Sequence, residues 1–304
     1  MSMSTTFRPA RAAFAAFAAG AALAPAARAQ NTASPNAGGP PASITLYATV
    51  RDFRAYGSSG GHPDFERWTG GTRVGLLQPQ LDENGRPHAL SLTGSSINVE
   101  YRNAAGDPIN PALFNASLGD TPGQVAASSE PRLASAESFD QWYSTTPGVS
   151  VAINVPITLT NVEGTSRYVF DSAVAEPYHT RGGFFPIDGQ GYGNYAATGH
   201  NFSFTTELET QFQFNRGQGQ VFRFSGDDDV WVFIDGRLVI DLGGVHPPKT
   251  QVIDLDRLAW LEDGHDSTLK VFHAERHTTG SNFKIDTTIR FRAVQPATAS
   301  ALAD

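Results

Sequence analysis

Apolar and polar residues alternate in short bursts along most of the chain. Ile44 to Val50, Val149 to Leu159, Asn201 to Thr205, Gln211 to Phe214, Val221 to Phe224, Val230 to Ile234, Leu238 to Leu242, Leu269 to His273 and Phe283 to Phe291 carry the pattern that predicts β-strands. Thirty glycines and nineteen prolines, spread through the stretches between, leave little room for long helices. Ser135 to Tyr143 predicts one short helix, with Ser135 as its cap. Residues 230–234 are apolar on both sides, with Val230, Val232 and Ile234 on one face and Trp231 and Phe233 on the other. That is the pattern of a strand buried between layers, which makes Trp231 a core residue. Asp235-Gly236 then separates two apolar runs, a hairpin signal in which the glycine supplies the positive φ of a type I′ turn. The expected class is mainly β, an antiparallel β-sandwich with long loops.

The two ends of the chain have a different composition. Arg8 and Arg11 precede an Ala-rich apolar run from about Ala12 to Ala27, and Ala27-Arg28-Ala29 stands before Gln30. Residues 1–29 are therefore expected to be a secretory signal peptide with an A-x-A cleavage site. The run is shorter than the roughly 20 residues needed to cross a bilayer and contains Pro25; no later segment is long and apolar enough, so no transmembrane segment is expected. Residues 30–43 and 294–304 are rich in Ala and polar residues, with Pro and Gly concentrated in the first, as expected of a disordered linker and tail. One domain over residues 44–293 remains.

Cysteine is absent, which excludes disulfides, thiolate metal sites and cysteine nucleophiles. Lys and Arg total 22 against 30 Asp and Glu; without Arg8, Arg11 and Arg28 the balance is 19 against 30, a net charge of -11. An acidic chain of this kind is not expected to bind nucleic acid.

The chemistry concentrates in Asp227-Asp228-Asp229, three adjacent carboxylates that abut the apolar run of residues 230–234. Carboxylates held together need a counter-cation, hydrogen bonds or water, and calcium, a hard ion that takes six to eight oxygens, is the first candidate. In His273-Ala274-Glu275-Arg276-His277, spacing of two along a strand points His273, Glu275 and His277 to one face. Such placement spreads three ligands over about 13 Å, too far for one tetrahedral zinc, so Glu275 is expected to bond Arg276 or a neighbouring strand. Asp241-Leu242-Gly243-Gly244-Val245-His246 ends a strand in a Gly-Gly bend, where backbone can approach another chain segment or a ligand; Asp241 and His246 are candidates to line a binding site. No phosphate loop, nucleophile elbow or H-E-x-x-H helix is present.

Phe224 to His246 (FSGDDDVWVFIDGRLVIDLGGVH) followed by Val271 to Ile289 (VFHAERHTTGSNFKIDTTI) resembles the fibro-slime domain. Further family-like pieces, among them His62-Pro63-Asp64-Phe65-Glu66, Phe139-Asp140-Gln141-Trp142-Tyr143 and Gly183-Phe184-Phe185-Pro186-Ile187-Asp188-Gly189, extend the resemblance over roughly residues 44 to 292. Fibro-slime domains resemble the PA14 domain in their C-terminal half, which implies a PA14-like β-sandwich and a binding module more than an enzyme. In the adhesin branch of PA14 an Asp-Asp pair joined by a cis peptide coordinates calcium, and the calcium holds sugar hydroxyls. Counting back from Ile234-Asp235-Gly236 carries that pair onto Asp227 and Asp228. Asp229 and Val230 stand where a glycine and a small polar residue usually follow, so Asp229 is an additional candidate ligand and the site is rearranged from the common pattern. The loop Thr278 to Asn282 is the resemblance's supplier of further contacts, through Ser281 and Asn282; the turn chemistry of Gly280 and Asn282 accounts for the same residues without a ligand.

The resulting expectation is a secreted or cell-surface, calcium-dependent carbohydrate-binding or adhesion module, whose partner is an extracellular carbohydrate or matrix glycan. The alternative is a structural extracellular-matrix protein in which calcium only rigidifies the loop. A glycosidase, which needs two carboxylates flanking a scissile bond, is the least favoured, because adjacent residues on one short loop are badly placed to flank it.

Overall fold

The computed structural model describes residues 1, 39–68 and 70–292. The expected signal peptide, most of the linker and the tail at 294–304 lie outside the described residues. Thirteen strands are described: β1 (Ser43–Asp52), β2 (Arg73–Val74), β3 (Ser95–Val99), β4 (Gln124–Ala127), β5 (Val151–Asn161), β6 (Tyr168–Asp171), β7 (Phe204–Gln213), β8 (Val221–Gly226), β9 (Asp229–Ile234), β10 (Arg237–Leu242), β11 (Lys249–Asp254), β12 (Asp266–Glu275) and β13 (Phe283–Thr287). Two single-turn helices, α1 (Ala136–Phe139) and α2 (Tyr178–Arg181), accompany them.

Ten strands form one antiparallel sheet in the order β10-β9-β12-β7-β1-β5-β6-β13-β8-β11, and β2-β3-β4 form a small second sheet. The fold is mainly β, as the alternation predicts. The large sheet rolls until its outer strands meet: the side-chain amide of Gln251 on β11 accepts from Asp241 N on β10 at 2.9 Å and donates to Asp241 O at 3.0 Å. A side-chain amide thereby does the work of a backbone pair across the seam. The same edge of β10 is covered further along, since Arg73 and Gly243 exchange backbone bonds of 2.6 and 2.7 Å.

Strand β9 has the two buried faces its sequence requires. Val230, Val232 and Ile234 join a core with Leu208, Val271 and Phe283, while Trp231 and Phe233 join a second core with Phe139, Trp142 and Phe272. The Ser135 hydroxyl caps α1 by accepting from Ser138 N at 3.0 Å. That helix delivers Phe139 edge-on to Trp231, with ring centroids 5.9 Å apart. Asp235 and Gly236 take φ of 47° and 75°, the two positive values of a type I′ turn. Parts of the two predicted segments, Phe204-Thr205 and Gln211 to Gln213, belong to one longer strand, β7, while Asn201 to Ser203 and Phe214 fall outside it; the intervening Glu207 and Glu209 alternate outward against Arg51 and Lys270.

Register fixes which ends lie together. Asp52 at the end of β1 pairs with Phe204, and Phe204 pairs with Glu275 at the end of β12. Asp229 pairs beside Ala274, so the 227–229 segment lies at this same pole. At the opposite pole β1 begins at Ser43, and Arg292 returns to bond Gln211 of β7, its N–H donating to Gln211 O at 2.8 Å.

Candidate functional site

β8 and β9 stand at opposite sides of the strand order, yet only Asp227 and Asp228 connect them. Such a short crossing is possible because the rolled sheet brings its two halves together at this pole. Asp228 makes the corner with φ 54°, in the left-handed region that asparagine and aspartate tolerate best among residues with a Cβ. Gly226 before it has no room for a side chain, since a Cβ would lie 2.7 Å from the Phe224 ring and 2.9 Å from Asn282 O.

The three aspartates have three different partners. Asp227 accepts from Asn282 N at 2.5 Å and from Asn282 Nδ2 at 2.6 Å, so the Thr278 to Asn282 loop does reach the pair. Asp228 accepts from Arg276 N at 2.9 Å, and its own N–H donates to His246 O at 3.4 Å. Asp229 is held by the Arg276 guanidinium in a fully buried ion pair, and also accepts from Gly244 N at 2.5 Å. Arg276 donates further to Arg132 O at 2.7 Å and lies 4.9 Å from the Trp142 ring centroid. Burial raises the carboxyl pKa of Asp227, and raises that of Asp228 well above the ordinary range, with the Asp229 charge adding to the second.

The non-proline cis bond expected between Asp227 and Asp228 lies elsewhere, at Thr278–Thr279. The Asp227–Asp228 peptide is trans; its corner comes from the left-handed Asp228, whose carboxylate is anchored on Arg276 N.

Glu275 departs from its expected role. Arg276 is spent on Asp229, and Glu275 is wholly buried, with no well-aligned hydrogen bond to either oxygen and the Ser281 side chain and His277 backbone as polar neighbours. Alternation along β12 explains the placement: Phe272 and Ala274 face one core, so Val271, His273 and Glu275 face the other. The Ser281 hydroxyl gives its proton to Phe184 O at 2.7 Å. Burial pushes the Glu275 carboxyl well above the usual range, and the charges of Asp228 and Asp227 push it further. His273, ringed by Phe184, Phe204, Phe224 and Phe283, is driven by burial down to about 3.

The other candidates are placed as follows. Asp241 is buried with both oxygens engaged, accepting from Gly75 N at 2.8 Å and Trp231 Nε1 at 3.1 Å; burial raises its pKa to about 6. The Gly243-Gly244 bend approaches the chain around Arg73 and Asp229. His246 is buried beside the aspartates through its carbonyl, and burial lowers its pKa. Ser281 ties the loop to Phe184. Glu66, which the sequence did not single out, braces the same loop by accepting from Thr278 N at 2.8 Å.

Among the described residues no three His, Asp or Glu side chains form a ready-made metal cage. The acidic side chains here offer carboxylate oxygens, the donors a hard cation takes, but those of Asp227, Asp228 and Asp229 already accept from Asn282, Arg276 and Gly244.

Residues 188–298 match the PA14 domain. That PA14 segment contains all three aspartates, Glu275, Arg276 and Asn282. The chain is also 39% identical over 208 residues to protein psiQ of Dictyostelium discoideum, covering 64% of this chain and 20% of psiQ. Protein psiD of the same organism is 32% identical over 262 residues, covering 83% of this chain and 43% of psiD. The chain thus spans less than half the length of either relative. The solved PA14 domain of the MpAFP antifreeze protein is 13% identical, with 29% of this chain and 43% of that one covered and a TM-score of 0.21.

Proposed function

We propose that this chain is an extracellular carbohydrate-binding module, not an enzyme, whose binding depends on calcium held by Asp227 and Asp228. The observation that carries this reading is the position of both carboxylates inside the PA14-matched segment, beside the exposed loop tip Thr279-Gly280. The resemblance to fibro-slime domains, and through them to PA14 adhesins, supplies the chemistry: calcium bridging protein carboxylates and sugar hydroxyls. Export by the signal peptide at residues 1–29 belongs to the same reading. The wild-type chain is expected to bind a set of glycans on an array in calcium, and to lose them in EDTA and in the Asp227→Ala, Asp228→Ala double variant. Identical array profiles with EDTA and with calcium would overturn it.

A purely structural calcium site is favoured by one observation, the burial of Asp228, which is only 3% exposed. In that case calcium raises the melting temperature of the chain while no glycan is retained on the array.

A further inference from the structure

We propose that Arg73 and Arg132 form a second binding site, one that takes an oxyanion, and that Glu130 is an internal carboxylate which the ligand displaces. The ligand class is a carboxylate or sulfate group carried by an acidic glycan. The site is independent of calcium, and it rests on the functional reading above only in naming a glycan as the carrier.

Its basis is an unbalanced pair of buried guanidiniums. Arg73 on β2 and Arg132, which follows β4, are 5% and 4% exposed. Arginine keeps its charge when buried, so each needs a counter-charge within reach. Arg73 donates to Thr72 O at 3.3 Å, and Arg132 donates to Pro131 O and to Gly70 O, each at 2.9 Å. These carbonyls orient the two forks but bring no negative charge. The neighbouring Arg276 is matched by Asp229, whereas among the described residues Arg73 and Arg132 share a single carboxylate, Glu130. Burial lowers the Arg73 pKa, and the Arg132 charge lowers it further. One positive charge is left over at this spot, in a chain whose formal net charge is -8.

Glu130 is held in a way that a ligand can improve upon. Its side chain is 71% exposed although both partners are buried, and an ion pair with its carboxylate largely in water is weak. Both bonds end on one oxygen, Oε2, at 3.3 Å from Arg73 and 3.0 Å from Arg132. Guanidiniums hold oxyanions best when each N–H has its own oxygen, which a ligand carboxylate or sulfate can supply to the two arginines. Backbone forms one wall of the site: at Gly71, with φ 131°, a Cβ would lie 2.6 Å from Arg73 Nη1 and 3.4 Å from Arg132 Nη2. Gly71 N donates to Val245 O at 2.7 Å, which fixes this wall to the bend after β10.

The test is calorimetry on the full chain in EDTA at matched ionic strength, with sodium sulfate, sodium glucuronate, a heparin oligosaccharide and a hyaluronan oligosaccharide, the last carrying carboxylates without sulfates. The variants are Glu130→Gln alone and Glu130→Gln combined with Arg73→Lys. Glu130→Gln removes the internal competitor at an exposed position, and is expected to bind the matching anion roughly tenfold tighter than wild type and to melt higher when it is added. Arg73→Lys keeps the charge but loses the fork, and is expected to abolish that gain. A gain on hyaluronan and glucuronate supports a carboxylate site; a gain on heparin and sulfate without hyaluronan supports a sulfate site. If the free anions gain and neither oligosaccharide does, the oxyanion site stands and the glycan falls as its carrier. If the arginines only brace the turns around them, Glu130→Gln melts lower and binds none of the probes more tightly, and the inference falls. A gain kept in full by the Arg73→Lys combination would overturn it as well, since loss of the Glu130 charge would then account for the gain by itself.

Discussion

Three consecutive aspartates share one chemistry and have three unlike surroundings: an amide partner for Asp227, a backbone N–H for Asp228 and a buried guanidinium for Asp229. The Asp229–Arg276 pair is the structural one, because both side chains are fully buried and Arg276 spans from Asp229 to Arg132 O. Removing one partner of such a pair leaves an uncompensated buried charge, at a cost of about 3–5 kcal/mol. Arg276→Met is therefore expected to lose stability in that range by urea denaturation, and Asp229→Ala a similar amount. An unchanged denaturation midpoint in both would contradict the pairing. The acidic run was visible in the sequence as a chemical anomaly, but its division was not. Arg276 lies 47 residues from Asp229, and only the register of β12 against β9 brings them together. Glu275 left a fainter signal, a charge on the strand face that carries Val271, and it was readable only once that face was known to point inward.

At the scale of elements, strands with strong alternation or continuous apolar runs were legible, and so was the turn that joins β9 to β10. Asp-Gly demands a type I′ turn on local grounds alone, and Asp235 secures it by accepting from Thr268 N at 2.8 Å. Gly236→Val places a β-branched residue at φ 75°, which is expected to cost about 1–2 kcal/mol in chemical denaturation. No measurable loss would mean that the turn relaxes to another type. Strands β6 and β11 escaped notice for the same reason. β6 has only four residues, and β11 (KTQVID) mixes polar ends with a short apolar centre, so neither presents a window long enough for periodicity to register. β2, β3 and β4 are short and partly exposed, and they depend on the β10 edge to which Arg73 attaches.

The whole molecule depends on closure of its large sheet, a property no local pattern encodes. The seam between β10 and β11 is held by the Gln251 amide on the Asp241 backbone, so Gln251→Met leaves a buried N–H and C=O without partners. Each unsatisfied group costs about 1–3 kcal/mol, enough for amide exchange along β10 and β11 to quicken roughly tenfold or more. Exchange in β1, β5 and β7 at the centre of the sheet is expected to stay at the wild-type rate. Equal acceleration everywhere would show that the seam does not open separately.

The arrangement of the poles has a mechanical consequence. The chain enters the sheet at Ser43 and leaves it at Arg292, both at the pole opposite Glu275, and β1 alone separates the two poles by about 30 Å. The buried acidic cluster therefore lies at the far end of the sheet from the points where the chain enters and leaves it. A pull applied between Ser43 and Arg292 loads β1, β7 and the Arg292 return, while the distant acidic pole carries none of it.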